Sequence, residues 1–325
     1  CPGKAADEFN CRLSTRSATY IKYAQSVPLS YAIDPELCIG CGLCEKVCIA
    51  EAIQYSDTAF QLATLNKQDE QAAKALLIKG KAYSEINTTD SALHYLHKAH
   101  ELYHSLPDLN SASNAISLAA DIYLSESNYK EAIEAYEHMH QIGQSKNDST
   151  LISNSLTKIA LIYDSWEKYD SAYIFYTRAL KHVLQTGDKQ QESLIRNKLG
   201  TIYLSWGNYS SALEQYIASL NLCELLFDST GCSKALNNIG IIYYDWGDKE
   251  KSLKYYTRSY RLDSLLGDHL GQSQTLNNIA IIYDESKRDD KALRVYERSL
   301  KLAEQTGDNY QIAVTCSNMG GVYLE

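Results

Sequence analysis

The 325-residue sequence predicts an all-α chain of stacked helical hairpins, a solenoid with a 40-residue repeat, and three observations carry that class. Tyrosines recur at one phase, at Tyr83, Tyr123, Tyr163, Tyr203, Tyr243, Tyr283 and Tyr323. Gly or Ala stands three residues before each, at Gly80, Ala120, Ala160, Gly200, Gly240, Ala280 and Gly320. Within a unit the apolar residues follow at spacings of three and four, as in Leu236, Ile239, Ile242 and Tyr243, which is the helical period and not strand alternation. A period of this length marks units that bury their faces against their neighbours.

Each unit reads as two helices. The first carries the small residue and the tyrosine. The second carries Ala92, Ala132, Ala172, Ala212, Ser252 and Ala292, followed four residues later by Leu96, Tyr136, Tyr176, Tyr216, Tyr256 and Tyr296. Small, small and aromatic at fixed offsets describe a closely packed pair. Between the helices stand turn signals such as Trp206-Gly207-Asn208 and Trp246-Gly247-Asp248. Between units stand Gly187-Asp188, Gly267-Asp268 and Gly307-Asp308, where Gly suits a left-handed residue after a helix and Asp the cap before the next. Asp holds that column in all full units, at Asp108, Asp148, Asp188, Asp228, Asp268 and Asp308. The domain reading is a segment 1–50, a half repeat 51–70, full repeats 71–110, 111–150, 151–190, 191–230, 231–270 and 271–310, and a truncated seventh over 311–325.

These columns resemble the tetratricopeptide repeat from about residue 71 to the end. The second helix is longer than in the basic repeat and no Pro marks the unit boundary, which is similar to the forty-residue variety. The resemblance implies a binding scaffold whose groove is lined by the first helix of each unit.

Composition agrees with a folded chain: 45% hydrophobic and 22% charged residues with four prolines leave no long disordered tract. The net charge of -9 makes nucleic acid an unsuitable partner. Residues 1–50 hold equal numbers of acids and bases, so that charge lies on the repeats. No apolar run is long enough to span a membrane and no signal peptide opens the chain, so a cytoplasmic location without a membrane partner is expected. Without an initiating Met or a polar cap, the chain reads as a fragment.

Four of the nine cysteines cluster as CIGCGLCEKVC, with Cys38, Cys41, Cys44 and Cys48 in the spacing C-x2-C-x2-C-x3-C. This is the ferredoxin spacing for a 4Fe-4S cluster, and it outweighs a zinc site, which usually presents two separated pairs. In two-cluster ferredoxins the fourth cysteine ligates the other cluster. The set for one cube is then Cys38, Cys41, Cys44 and Cys1, the last followed by Pro2 as at the close of such a motif. Ile49 replaces the usual Pro after Cys48.

Around the motif, Asp7-Glu8-Phe9-Asn10, Leu13-Ser14-Thr15-Arg16, Gln25-Ser26-Val27-Pro28 and Tyr31-Ala32-Ile33-Asp34 resemble the A subunit of heterodisulfide reductase over residues 1 to about 52. The resemblance implies an electron-relay segment; no G-x-G-x-x-G flavin fold accompanies it. Glu51-Ala52-Ile53 lies two periods before Glu131-Ala132-Ile133, so the repeat register begins inside the motif's tail, and residues 51 to about 67 read as a second helix. That shared string predicts a joined or truncated origin for the chain.

Five residues before the tyrosines stand Ile78, Leu118, Lys158, Lys198, Asn238, Asn278 and Asn318, and one position earlier Asn197, Asn237 and Asn277. Paired amides can hold both donor and acceptor groups of an extended peptide, and Lys can take its acidic groups. This is similar to the asparagine ladder of peptide-binding tetratricopeptide proteins; the alternative is that the amides bond neighbouring units. His94, His97, His100 and His104 form a row at metal-ligand spacing, but neither carboxylate nor Cys completes it in sequence. Trp166, Trp206 and Trp246 are expected in core or inter-unit packing, and Cys223, Cys232 and Cys316 as buried small apolar residues. No nucleophile, base and orienter constellation and no phosphate loop appears. The expected function is a non-catalytic scaffold binding a peptide or protein partner. The alternative is an electron-transfer component whose repeats dock a redox protein.

Overall fold

A computed structural model describes residues 19–21, 31–33, 43–106 and 108–324, with side chains from residue 49 onward. Two short strands, β1 (Thr19–Ile21) and β2 (Tyr31–Ile33), pair antiparallel with Tyr20 opposite Ala32. The rest of the described chain is helical and divides into two compact units, residues 1–145 and 146–325.

The first unit holds α1 (Leu43–Leu65), α2 (Asp69–Glu85), α3 (Thr89–Ser105), α4 (Leu109–Ser125) and most of α5 (Tyr129–Lys146). The helix expected from residue 51 begins earlier, at Leu43, and runs without interruption through Cys44 and Cys48. An ion pair between Lys79 and Asp57 ties α1 to α2, and the Lys79 ammonium also lies 4.0 Å from the Tyr95 ring centroid. Core residues Leu76, Leu77, Ala92, Leu96 and Ala99 continue into Ala112, Ala115 and Ala119 of α4.

The second unit holds first helices α6 (Ser149–Ser165), α8 (Lys189–Ser205), α10 (Ser229–Asp245), α12 (His269–Glu285) and α14 (Asn309–Leu324). The second helices are α7 (Tyr169–Thr186), α9 (Tyr209–Leu226), α11 (Lys249–Leu266) and α13 (Asp289–Thr306). Each pair is an antiparallel hairpin.

The sequence columns explain the pairing. Tyr136, Tyr176, Tyr216, Tyr256 and Tyr296 are almost fully buried, and the small residue of the first helix makes room for them. A Cβ on Gly200 would lie 2.6 Å from the Tyr216 ring, and one on Gly240 the same distance from Tyr256, so those two contacts admit no larger residue without a shift. The tyrosines of the first column are half-buried, apart from exposed Tyr323.

The aspartate column acts as expected. Asp108, Asp148, Asp188, Asp228, Asp268 and Asp308 each accept a hydrogen bond from the backbone N–H three residues on. The junctions after second helices take a left-handed residue at Asn147, Gly187, Phe227, Gly267 and Gly307, of which Phe227 is 93% exposed.

Two expectations change. Trp206 and Trp246 are about half exposed at the ends of α8 and α10, because the helix stops there and the ring has a core on one side only. Trp206 rests on Tyr203 of its own helix and on Tyr173 of the preceding hairpin, so the expected packing between repeats is made, at the surface and not in the core. Cys223 and Cys232 are buried but bonded to each other as a disulfide, since the turn between α9 and α10 brings their Cα atoms within 5.4 Å. Cys316 is exposed.

Candidate functional site

The first helices of the second unit line a cavity of about 900 Å3. α6 contributes Asn154, α8 contributes Gln191, Asn197 and Lys198, α10 contributes Lys234, Asn237 and Asn238, and α12 contributes Gln274 and Thr275. They share this wall because helical spacing turns every third or fourth residue to one side and the forty-residue repeat places the next helix in the same phase.

The amides bond neighbouring helices, as in the alternative reading of this column. Asn238 Nδ2 donates to Asn197 Oδ1 at 3.5 Å, Asn278 Nδ2 to Asn237 Oδ1 at 3.2 Å, and Asn318 Nδ2 to Asn277 Oδ1 at 3.1 Å. Lys198 continues the row by pairing with Asp164 at 2.7 Å. Lys158 is exposed and, like Asn277, Asn278 and Asn318, lies outside the cavity wall.

Where α8 meets α6, the first helix of the preceding hairpin, Gln191 Nε2 donates to Asn154 Oδ1 at 2.8 Å. The other amide atoms there are unsatisfied: Gln191 Oε1 and Asn197 Nδ2 are shielded from solvent and have no hydrogen-bond partner within the described residues. A shielded acceptor and donor in one cavity are costly unless a ligand or water completes them.

Below the ladder run serine clasps. Ser193 with Ser219, Ser233 with Ser259 and Ser273 with Ser299 each hydrogen-bond hydroxyl to hydroxyl at 2.9 to 3.1 Å. In the Ser193 and Ser273 pairs the second-helix hydroxyl also donates to the first-helix serine's carbonyl. The signal was legible as two serine columns at forty-residue spacing, which the tyrosine ruler overshadowed.

Asp263 is the other residue missed. It is 3% exposed and receives a hydrogen bond from the Ser233 hydroxyl. Burial raises its carboxyl above the ordinary value, opposed by the Ser233 hydrogen bond. Its column otherwise reads Tyr103, Gly143, Val183, Cys223 and Ala303, so an acid among small and apolar residues was the available clue.

In the first unit, the histidine row gathers partners. His97 Nε2 lies 3.0 Å from the Tyr123 hydroxyl, while His100 Nε2 lies 3.2 Å from His138 Nδ1 on α5. His94 is exposed and outside this group. Burial holds His100 below the ordinary imidazole value, and partial desolvation does the same to the more exposed His138, reinforced by the neighbouring rings. Among the described residues no three His, Cys, Asp or Glu side chains already converge as a metal site. Cys1, Cys38 and Cys41 lie outside the described residues, and for Cys44 and Cys48 only the helical backbone is described. No described helix is long and apolar enough to cross a membrane.

A tetratricopeptide repeat profile matches residues 190–264 and 233–305. The soluble NSF attachment protein profile, a related helical repeat, matches 48–204, and the 4Fe-4S binding domain profile matches 31–54. Similar solved folds include BtubC from P. vanneervenii, with TM-score 0.60 and 22% identity over 69% of this chain and 91% of that one. The apo quorum sensor NprR from B. thuringiensis has TM-score 0.62 and 14% identity over 86% and 78%. A Rap protein complexed with Competence and Sporulation Factor has 0.51 and 14% over 79% and 75%. The profiles and the hairpin geometry show tetratricopeptide-type helical repeats.

Its beginning is more particular. The iron-sulfur A subunit of CoB–CoM heterodisulfide reductase from Methanocaldococcus jannaschii is 53% identical over 55 residues, 17% of this chain and 8% of that protein. The A subunit of the ferredoxin:CoB-CoM heterodisulfide reductase of Methanosarcina acetivorans is 41% identical over 61 residues, again 17% and 8%. The chain therefore spans less than a tenth of these relatives. The chain carries tetratricopeptide-type helical repeats and, ahead of its hairpins, an iron-sulfur binding motif similar to theirs.

Proposed function

We propose that the second unit is a non-catalytic scaffold that holds an extended peptide or protein segment against the amide ladder. The observation that carries this reading is the polar wall on which Asn197, Lys198, Asn237 and Asn238, from neighbouring repeats, line one cavity. Side-chain amides on such a wall can both donate to the C=O and accept from the N–H groups of an extended peptide. Because the neighbouring rungs are bonded helix to helix, the wall is preorganised and little ordering is lost on binding. Two Rap proteins of the same fold, one complexed with Competence and Sporulation Factor and one with the Phr* peptide, lend the reading support by analogy.

A library of unstructured peptides panned on the full chain tests it, with the affinity of a selected peptide measured by calorimetry. Changing Asn197 and Asn238 together to Ala is expected to weaken that peptide at least about tenfold, or about 1.4 kcal/mol, with the helical circular dichroism retained. Unchanged affinity overturns the assignment.

The cysteine segment carries a second reading, electron transfer, favoured by the match over residues 31–54. Cys38, Cys41 and Cys44, with Cys1 or Cys48, would hold a 4Fe-4S cluster, the group a clustered thiolate set suits. Such a cluster would supply one-electron exchange with a redox partner docked on the repeats. Anaerobic reconstitution followed by visible absorption and iron analysis decides it; a colourless, iron-free protein leaves the scaffold reading alone.

A further inference from the structure

The histidine row that lacked partners in sequence gains them from the next hairpin. His100 and His104 stand one turn apart on α3, and Glu134 and His138 stand one turn apart on α5, so each pair shares a helix face. All four line one cavity of about 510 Å3 within the first unit.

The distances match a shared ion. Two imidazole nitrogens held on one tetrahedral zinc stand about 3.3 Å apart, and their ring centroids about 5 Å. His100 Nε2 and His138 Nδ1 are 3.2 Å apart, with ring centroids at 5.1 Å. The His104 ring lies 6.0 Å from His100 and 5.7 Å from His138, within about 1 Å of the same spacing.

The outer contact is also of the right kind. His100 Nδ1 faces the Ala112 carbonyl at 3.1 Å. A carbonyl can only accept, so the proton sits on Nδ1 and the Nε2 lone pair points into the cavity. A backbone carbonyl holding one ring nitrogen is how proteins orient an imidazole that ligates through the other.

We propose that His100, His104, His138 and Glu134 bind one divalent transition ion of the zinc class through three nitrogens and one carboxylate oxygen. The ion replaces the His100–His138 hydrogen bond, and His138 then carries its proton on Nε2. His104 and Glu134 are exposed and turn inward to complete the set, which is why no three ligands converge beforehand. Glu101 and Glu131, on the same cavity wall, add negative charge that favours a cation.

Cobalt(II) added to the full-length chain is the probe, because thiolate ligation by the cysteine segment would show intense near-ultraviolet charge transfer, while a nitrogen and oxygen site shows only weak visible bands. The expected result is one tightly held equivalent that shows only the weak visible bands, distinct from any cobalt taken up with the thiolate band, and weakened at least about tenfold by His138→Ala and by Glu134→Gln. Both side chains are exposed, so these variants keep the fold, and in them added cobalt no longer raises the unfolding midpoint as it does in the parent. Equal affinity in parent and both variants, or uptake only with the thiolate band, overturns the proposal.

Discussion

In the first unit the position five residues before the repeating tyrosine holds Ile78 and Leu118, whereas in the second it holds Lys158, Lys198, Asn238, Asn278 and Asn318. The clasp positions differ likewise: Ser193, Ser233 and Ser273 face serines, while Ser113 stands where the partner column offers Met139. Capping aspartates and small-residue contacts are nonetheless common to both. The packing seam is thus set by a few columns, and the wall beside it is free to vary. One unit uses that freedom for apolar cover, the other for a polar ladder.

The largest effect should come from the shared seam. Tyr256→Ala in the second unit and Leu96→Ala in the first each remove a side chain that is at most 2% exposed, and each should cost about 2–5 kcal/mol in urea unfolding. A cost near zero at either site would break the claim that one column organises both units.

A smaller and equal effect should come from the caps. Asp108→Ala and Asp228→Ala each remove an acceptor from a first-turn N–H and should cost about 1 kcal/mol apiece. Markedly different losses would show that the repeat's start is built differently in the two units.

The smallest effect is one of slope and belongs to the second unit alone. Burial raises the Asp263 carboxyl above its unfolded value. Its contribution is therefore fully present below the unfolded value and lost as pH rises through the folded one. Thermal midpoints measured from pH 4 to 8 should fall in the parent relative to Asp263→Asn as pH increases. Parallel curves would mean that the carboxylate is not desolvated.

The hairpins, caps and aromatic seam were legible because each depends on one residue type recurring at one interval. The asparagines were legible too, though their pairing was not: Asn197 bonds Asn238, forty-one positions on, which only the stagger between neighbouring helices reveals. His138 stands thirty-eight residues after His100 and so falls off the ruler. The Cys223–Cys232 disulfide escaped notice because two apolar-column cysteines gave no hint that the turn between them folds back. The exposure of Trp206 and Trp246 was not legible, since their place at the helix end was read but not how much of each ring its neighbours would cover.

α1 is 23 residues long, and at about 1.5 Å per residue it is a rod of roughly 35 Å. Cys44 and Cys48 sit in its first turns, and Asp57, further along, is fastened to Lys79 of the first hairpin. No linker intervenes between motif and repeats along this stretch. The last two cysteine positions of the motif are thereby set by the same backbone that docks onto the array, as the tip of a lever is aimed by its clamp.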